Sequence, residues 1–128
     1  MNNLHRNLAP ISDAAWADIE EEAKRTFQRN IAGRRVVDVS GPHGNDFAAV
    51  GLGRLHEVEA PDHGVESHVF RSRPVVQLRV PFTLSRAEID GVERGSKDAD
   101  WDPLTDAAQR IAFAEDRAIL DGYGAAAI

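Results

Sequence analysis

Apolar residues recur every three or four positions from residue 13 to about residue 31, which predicts an amphipathic helix. The positions that form its apolar stripe are Trp16, Ile19, Ala23 and Phe27. Ser12 or Asp13 is suited to cap its start, and Gly33 is a candidate left-handed stop. After a short polar arm, the first element is therefore predicted to be a helix with one apolar face.

Residues 48–84 show the pattern of β structure. In the second half the apolar positions alternate with polar ones; they are Val76, Leu78, Val80 and Phe82. The first half, residues 50–59, alternates poorly, and residues 61–64 between the halves have the composition of a reversing turn. The prediction is a long hairpin with about ten to fourteen residues per arm, a reach of roughly 35–45 Å.

This predicted hairpin lacks an obvious partner. A two-stranded ribbon is only marginally stable alone in water, and the residues around this turn are polar and rich in histidine. Either the ribbon folds back on the helices of its own chain, or it packs on another subunit. The sequence favours the second arrangement.

Two further helices are predicted after the hairpin. Residues 85–88 match a capping box that opens a short helix, which Gly95 ends. Asp102 and Pro103 are suited to the cap and first turn of a second long helix, ended by Gly122. Its apolar residues fall on several faces, which predicts burial on more than one side. The apolar ending at residues 125–128 is typical of a chain that is cut short.

Composition narrows the class of protein. The 128 residues suffice for one domain, and 15 basic against 21 acidic residues give a net charge of −6, which argues against a nucleic-acid-binding protein. The absence of cysteine excludes disulfides and thiolate metal sites. No apolar run approaches the roughly 20 residues of a membrane span, and the N-terminus has no signal-peptide core, so a cytoplasmic protein is expected.

No pattern of catalytic residues emerges. His56, His63 and His68 with Asp62 suggest a metal site near the hairpin tip, but their spacing fits no standard zinc pattern, and exposed polar residues around a turn are the simpler interpretation. The chain also lacks Glu-x-x-His pairs, a Gly-x-Ser-x-Gly elbow and a complete dinucleotide fingerprint. The sequence therefore predicts a non-enzymatic protein without a metal or cofactor.

Arg34 and Asp38 follow the first helix directly. Beside Phe27 and Ile31 they place one charge of each sign next to an apolar stripe, which suits a groove for a short peptide of mixed apolar and charged residues. An ordinary helix-to-strand corner with a local salt bridge is the alternative.

Several blocks of sequence resemble the encapsulin shell proteins, and more narrowly the actinobacterial, linocin-type members. The blocks are LAPIS at 8–12, the helix around Trp16, GRRVVDV at 33–39, GPHG at 41–44, RVPFTL at 79–84, VERG at 92–95 and FAEDR at 113–117. The resemblance covers the whole chain without gaps, but only about the first half of a family member.

The resemblance implies an α+β fold of the tailed-phage major-capsid type, truncated before the axial domain. Residues 1–46 would form the N-terminal arm and helix, residues 47–84 the extended E-loop hairpin, and residues 85–128 the start of the peripheral domain with its spine helix. In this family the E-loop lies on a neighbouring subunit.

The resemblance also implies a self-assembling nanocompartment that encloses a dye-decolorising peroxidase or a ferritin-like protein. Cargo is captured through a C-terminal targeting peptide, and the matching positions here are Phe27, Ile31, Arg34, Val37 and Asp38. Ala87 stands where some members have a flavin-stacking tryptophan, so no flavin is expected. The partners expected are other copies of the chain and a cargo peptide, with neither nucleic acid nor membrane. The alternatives are a truncated subunit that forms a smaller oligomer, or a bacteriocin-like or hydrolytic protein.

Overall fold

The computed structural model describes residues 6–128, so the first five residues of the predicted polar arm lie outside the described residues. Three α-helices and one antiparallel β-hairpin make up the fold, which agrees with the predicted α+β class. In chain order they are α1 (Asp13–Asn30), β1 (Ala49–Val58), β2 (Ser67–Pro74), α2 (Arg86–Glu93) and α3 (Asp102–Asp121). Single 3₁₀ turns occur at Arg6–Leu8, Gly33–Arg35 and Gly124–Ala126.

Helix α1 forms where the apolar periodicity predicts it. The Ser12 side chain accepts a hydrogen bond from the backbone N–H of Ala15 at 3.2 Å, which satisfies one of the free donors of the first turn. The predicted role of Gly33 as a left-handed stop is wrong, because the helix ends at Asn30 and Ile31 continues in extended conformation. Glycine is needed at position 33 for a different reason, because the backbone there approaches α3 closely.

The core lies between α1 and α3, with α2 packed beside α1. Ile19, Trp101 and Leu104 form its buried cluster. Several buried alanines let the two long helices approach closely; they are Ala15, Ala107, Ala108 and Ala112. No large side chain is fully buried among the described residues, so this is a thin core.

Two polar contacts fix how α3 sits on α1. The indole N–H of Trp101 donates to Asp18 at 2.6 Å, and the Thr105 hydroxyl donates to Glu22 at 3.0 Å. Both contacts join residues 83 positions apart at the edge of the apolar cluster. Such side-chain bonds specify the register of two helices that apolar packing alone leaves loose.

The starts of α2 and α3 differ in detail from the predictions. Ser85 stands at the cap of α2, but its side chain makes no capping bond, and Glu88 accepts instead from the backbone N–H of Asp100 at 3.1 Å. The capping box is therefore not formed. Helix α3 begins with Trp101 as its cap residue, one position before the predicted Asp102. Gly95 follows α2 with φ of 100°, as the prediction of a glycine stop requires.

The hairpin is formed earlier in the chain than predicted. The poorly alternating residues become β1, and its register with β2 shifts between Gly51, opposite Ser72, and Leu55, opposite Phe70. Three residues of β1 there face one residue of β2, and Gly53 in this bulge has φ of 66°. The bulge explains why alternation is poor in a segment that is nevertheless a strand.

The clearly alternating residues 75–84 are not a strand, which corrects the predicted second arm. Val80 and Phe82 in this segment line a groove beside α1 and α3, and Leu78 lies near the C-terminal part of α3. The alternation of apolar and polar residues therefore reflects apolar side chains that face the helices. The pattern identified apolar positions that pack but could not identify what they pack against.

The hairpin stands apart from the helices. Among residues 6–128, no α-helix has a Cα atom within 8 Å of a Cα atom of either strand. Nearly every strand residue is exposed, and the Phe70 side chain is 80% exposed. In the described part of the chain, the hairpin is held at its base, where Arg73 donates to the backbone carbonyl of Ala127. The arm therefore does not fold back on its own helices.

Helix α3 is covered on one side only. Leu104, Ala108 and Ala112 face α1, whereas Phe113 and Leu120 are 58% and 61% exposed. The prediction that this helix is buried on more than one side is wrong for this chain. No helix in residues 6–128 combines the length and the apolar character needed to cross a membrane.

Candidate functional site

The corner that follows α1 is held on α3 by a buried carboxylate. Asp116 accepts hydrogen bonds from the backbone N–H groups of Ala32, at 2.9 Å, and Gly33, at 2.8 Å. A Cβ atom on Gly33 would stand 2.9 Å from the Ile119 side chain, which explains why glycine occupies this buried position. These contacts fix the start of residues 32–38 beside the C-terminal part of α3.

Arg34 lies at the centre of this corner. Its guanidinium makes a two-pronged ion pair with Glu115, with N–O distances of 2.7–3.2 Å, and lies 5.2 Å from the centre of the Phe27 ring. The hydrogen bonds to Glu115, and the attraction between the two charges, raise the pKa of Arg34 above its ordinary value; partial burial opposes them. Arg34 therefore stays charged, and its partner is Glu115, not the Asp38 of the predicted local salt bridge.

A groove of about 660 Å³ opens next to this ion pair, between residues 34–50 and α3. We call it the 34–50 groove. Its apolar lining comes from Val37, Val39, Phe47, Val50 and Ile119, and its charged lining from Arg34, Asp38 and Glu115. His43 also lines the groove; its ring stacks on Phe47 at 4.5 Å and makes a 3.1 Å hydrogen bond with Ser40.

A second groove, of about 410 Å³, lies beside Phe27 and is almost entirely apolar. We call it the α1–α3 groove. Phe27 lines it together with Ala23, Val80, Phe82, Leu104 and Ile111. The Arg34 guanidinium, which lines the 34–50 groove, lies 5.2 Å from the centre of the Phe27 ring, which lines the α1–α3 groove.

The structure brings together most of the residues predicted to bind a peptide. Arg34, Val37 and Asp38 line the 34–50 groove, and Phe27 lines the α1–α3 groove. Ile31 lines neither groove; it ends α1, and its N–H donates to the carbonyl of Phe27. Their role in binding stays a prediction.

Sequence reasoning missed the residues that α3 and the hairpin base contribute. Glu115 and Ile119 stand about 80 positions after Arg34, and Phe47 and Val50 belong to a turn and a strand. The sequence contains one signal for Glu115, because two acidic residues and one basic residue at 115–117 are typical of ion pairing with neighbours. The sequence did not indicate which element they would face.

The chemistry of the 34–50 groove suits an extended peptide. Its walls are apolar, Arg34 is neutralised by Glu115, and Asp38 has no ion-pair partner in the described part of the chain. An exposed carboxylate beside apolar walls favours a ligand that carries a basic side chain next to apolar ones.

The histidines do not form a metal site in the described residues. Within residues 6–128, no group of three or more His, Asp or Glu side chains is close enough together to hold an ion. Near the hairpin tip, Asp62 accepts from the backbone N–H of His63 at 2.7 Å, an ordinary turn contact. The metal interpretation of His56, His63, His68 and Asp62 gains no support.

The chain combines a thin helical core, a projecting β-arm and a surface groove, features typical of a structural or binding protein. Comparison with known proteins identifies the family to which this chain belongs. The whole chain, residues 1–128, matches the Linocin_M18 family model, described as an encapsulating protein for peroxidase. The chain belongs to this family, as its sequence blocks predicted.

Three relatives show how far the similarity extends. Type 1 encapsulin shell proteins of Mycobacterium tuberculosis, Mycolicibacterium paratuberculosis and Rhodococcus erythropolis are 64%, 63% and 63% identical over all 128 residues. The match covers 48% of each relative, so the chain spans about half the length of the curated relatives it matches. Because these relatives are named as shell proteins, the prediction of a non-enzymatic chain is confirmed for the family.

Proposed function

We propose that this chain is the shell-building N-terminal part of an encapsulin subunit. In this proposal it assembles with copies of itself into a cytoplasmic nanocompartment and encloses a cargo enzyme, a dye-decolorising peroxidase or a ferritin-like protein. The capsid-type division into N-terminal arm, E-loop and peripheral domain at residues 46 and 84 belongs to the same proposal.

The exposed hairpin is the observation that carries this proposal. It presents two strands of ten and eight residues whose outer edges are unpaired within the described residues, together with exposed apolar side chains such as Leu55 and Phe70. Unpaired edges and exposed apolar residues are a cost to an isolated monomer. A neighbouring copy that covers the arm removes that cost and links subunits at the same time.

Cargo capture is proposed for the corner that Arg34 organises. The 34–50 groove would take the apolar residues of a targeting peptide, and Asp38 would bind a basic residue. Phe27 and the adjoining α1–α3 groove would extend the apolar contact. Ile31 would act indirectly, by ending α1 so that residues 32–38 can turn onto α3.

The size of the assembled species tests the shell proposal. We expect the purified chain, measured by light scattering and negative-stain imaging, to form large closed particles. A species of a few subunits would instead support a truncated subunit that builds no cage, an alternative suggested by the half-length match. A stable monomer would contradict self-assembly in either form.

A double substitution tests the peptide site. We expect Phe27→Ala with Asp38→Ala to weaken binding of a fluorescent peroxidase targeting peptide at least tenfold, because both an apolar contact and the unpaired carboxylate are lost. Fluorescence anisotropy measures the affinity. Both residues are partly or fully exposed, so the thermal midpoint should change much less.

Val36→Ala with Glu93→Ala provides the matched control. Both side chains are exposed, and neither lines the two grooves. We expect this variant to bind the peptide like the unmodified chain. Unchanged affinity in a folded Phe27→Ala, Asp38→Ala variant would end the peptide-site proposal and leave the shell proposal standing.

A further inference from the structure

His43 is held in a defined position in the wall of the 34–50 groove. Its ring stacks on Phe47 with a centroid distance of 4.5 Å and an angle of 28° between the ring planes, and one ring nitrogen makes a 3.1 Å hydrogen bond with the Ser40 hydroxyl. Gly41 leaves room for the ring, because a Cβ atom at that position would stand 3.1 Å from it. Three neighbours therefore fix where the imidazole lies, although the residue as a whole is exposed.

Four charged side chains belong to the elements around this imidazole. Arg34 and Asp38, from the corner after α1, and Glu115, from α3, line the same groove. Asp46 stands three residues after His43, in the turn before β1, and the part of β1 that lines the groove carries no charge. Because Arg34 is paired with Glu115, Asp38 is the charge in the groove lining that is left to meet a ligand.

A histidine in this wall makes the charge of the groove depend on pH. Histidine is the side chain whose charge ordinarily changes between about pH 5 and pH 8, so acidification across this range adds a positive charge to the wall. The ligand proposed for the groove carries a basic side chain that Asp38 binds. A positive imidazole repels that basic side chain and attracts the Asp38 carboxylate, and both effects weaken binding of the ligand.

We infer that His43 sets the charge selectivity of the 34–50 groove. The neutral imidazole leaves Asp38 available to a basic peptide side chain, and the protonated imidazole opposes that side chain. The chain therefore captures its peptide more tightly at about pH 7.5 than at about pH 5.5. This inference rests on the proposed peptide site and adds to it a residue that controls which ligand charge is accepted.

Peptide affinity at the two pH values tests this inference. The probe is a rhodamine-labelled peroxidase targeting peptide with one arginine and no histidine, measured by fluorescence anisotropy at constant ionic strength. We expect its affinity for the unmodified chain to fall about fivefold from the higher to the lower pH, because one like charge is added at an exposed site. The same peptide with norleucine in place of the arginine should show no such fall. Equal affinity of the arginine peptide at both pH values would overturn the inference.

Matched variants identify the group responsible. His43→Phe keeps a ring that can stack on Phe47 but removes the titratable nitrogens, so its peptide affinity should be the same at both pH values. His43→Lys is positive at both, and it should bind at the higher pH as weakly as the unmodified chain does at the lower. His63→Phe, the same substitution at an exposed histidine near the hairpin tip, should keep the full pH dependence. A His43→Phe variant that still loses affinity in acid would contradict the role of His43.

The inference and the proposed function fail in different ways. An unmodified chain that does not bind the peptide at the higher pH would remove the peptide site and the inference with it. Binding that is present at the higher pH and unaffected by acid would remove the role of His43 and keep the peptide site. Neither result bears on assembly of the shell, which the proposed function assigns to the hairpin.

Discussion

Deletion of residues 54–70 is expected to abolish assembly while the helices stay folded. The deletion joins Gly53 to Arg71, and the pair Gly51 and Ser72, already opposite each other, becomes the last step of a short hairpin. No α-helix lies within 8 Å of either strand among residues 6–128, so the core between α1 and α3 loses no contact. Light scattering should show large particles for the full chain and a small species for the deletion variant.

Circular dichroism distinguishes loss of assembly from loss of folding. The helical signal per molecule should be unchanged, because all three helices lie outside the deleted residues. A His63→Ala variant, which alters only the turn between the strands, should still assemble. If the deletion variant forms the same particle as the full chain, the hairpin is not the intersubunit element.

Replacement of Asp116 by alanine is expected to cause the largest loss of stability. The substitution removes the acceptor for the N–H groups of Ala32 and Gly33, and Gly33 is buried against α3, so its N–H cannot turn to water. A buried donor left without its charged partner costs about 2–3 kcal/mol. For a domain of this size the thermal midpoint should fall by roughly 6–15 °C.

Glu115→Ala is the matched control, one residue earlier on the same helix. Glu115 pairs with Arg34 at a partly exposed position, where an ion pair contributes about 0–1 kcal/mol. Its thermal midpoint should therefore stay close to that of the unmodified chain. Equal losses in the two variants would show that Asp116 does not hold the corner as its hydrogen bonds indicate.

Asp116→Ala also bears on the peptide site. Residues 32–38 carry Arg34, Val37 and Asp38, and the hydrogen bonds to Asp116 fix where this segment begins. When that anchor is lost, peptide affinity should fall even though Asp116 itself does not line the 34–50 groove. Affinity measured below the melting transition separates this positional effect from unfolding.

The helices could be predicted from the sequence because their signals are local. The apolar spacing of Trp16, Ile19 and Ala23, and the cap at Ser12, depend on residues within one or two turns, and α1 follows them closely. Family membership was likewise evident from blocks of adjacent residues. Gly33 shows where local signals end: its place is decided by Ile119, 86 positions later.

The strands were harder to place because alternation reports only that one side of an extended chain is apolar. Residues 75–84 alternate cleanly yet lie along helices, whereas β1 alternates poorly because a bulge at Gly53 shifts its register. Similarly, the sequence named Arg34 and Asp38 as site residues, with a local salt bridge as the alternative, but did not indicate that Arg34 pairs with Glu115. Sequence distance does not reveal which charges a fold brings together.

The sequence by itself determined the three helices, the existence of a slender β-arm and the family. These follow from short-range periodicity, turn chemistry and composition. Only the tertiary structure decided that the arm stands free of its own helices, that Asp116 anchors the corner carrying Arg34, and that one side of α3 is left uncovered. Each of these features depends on contacts between residues that are far apart in the chain. Tertiary packing sets those contacts, and the local sequence pattern does not encode them.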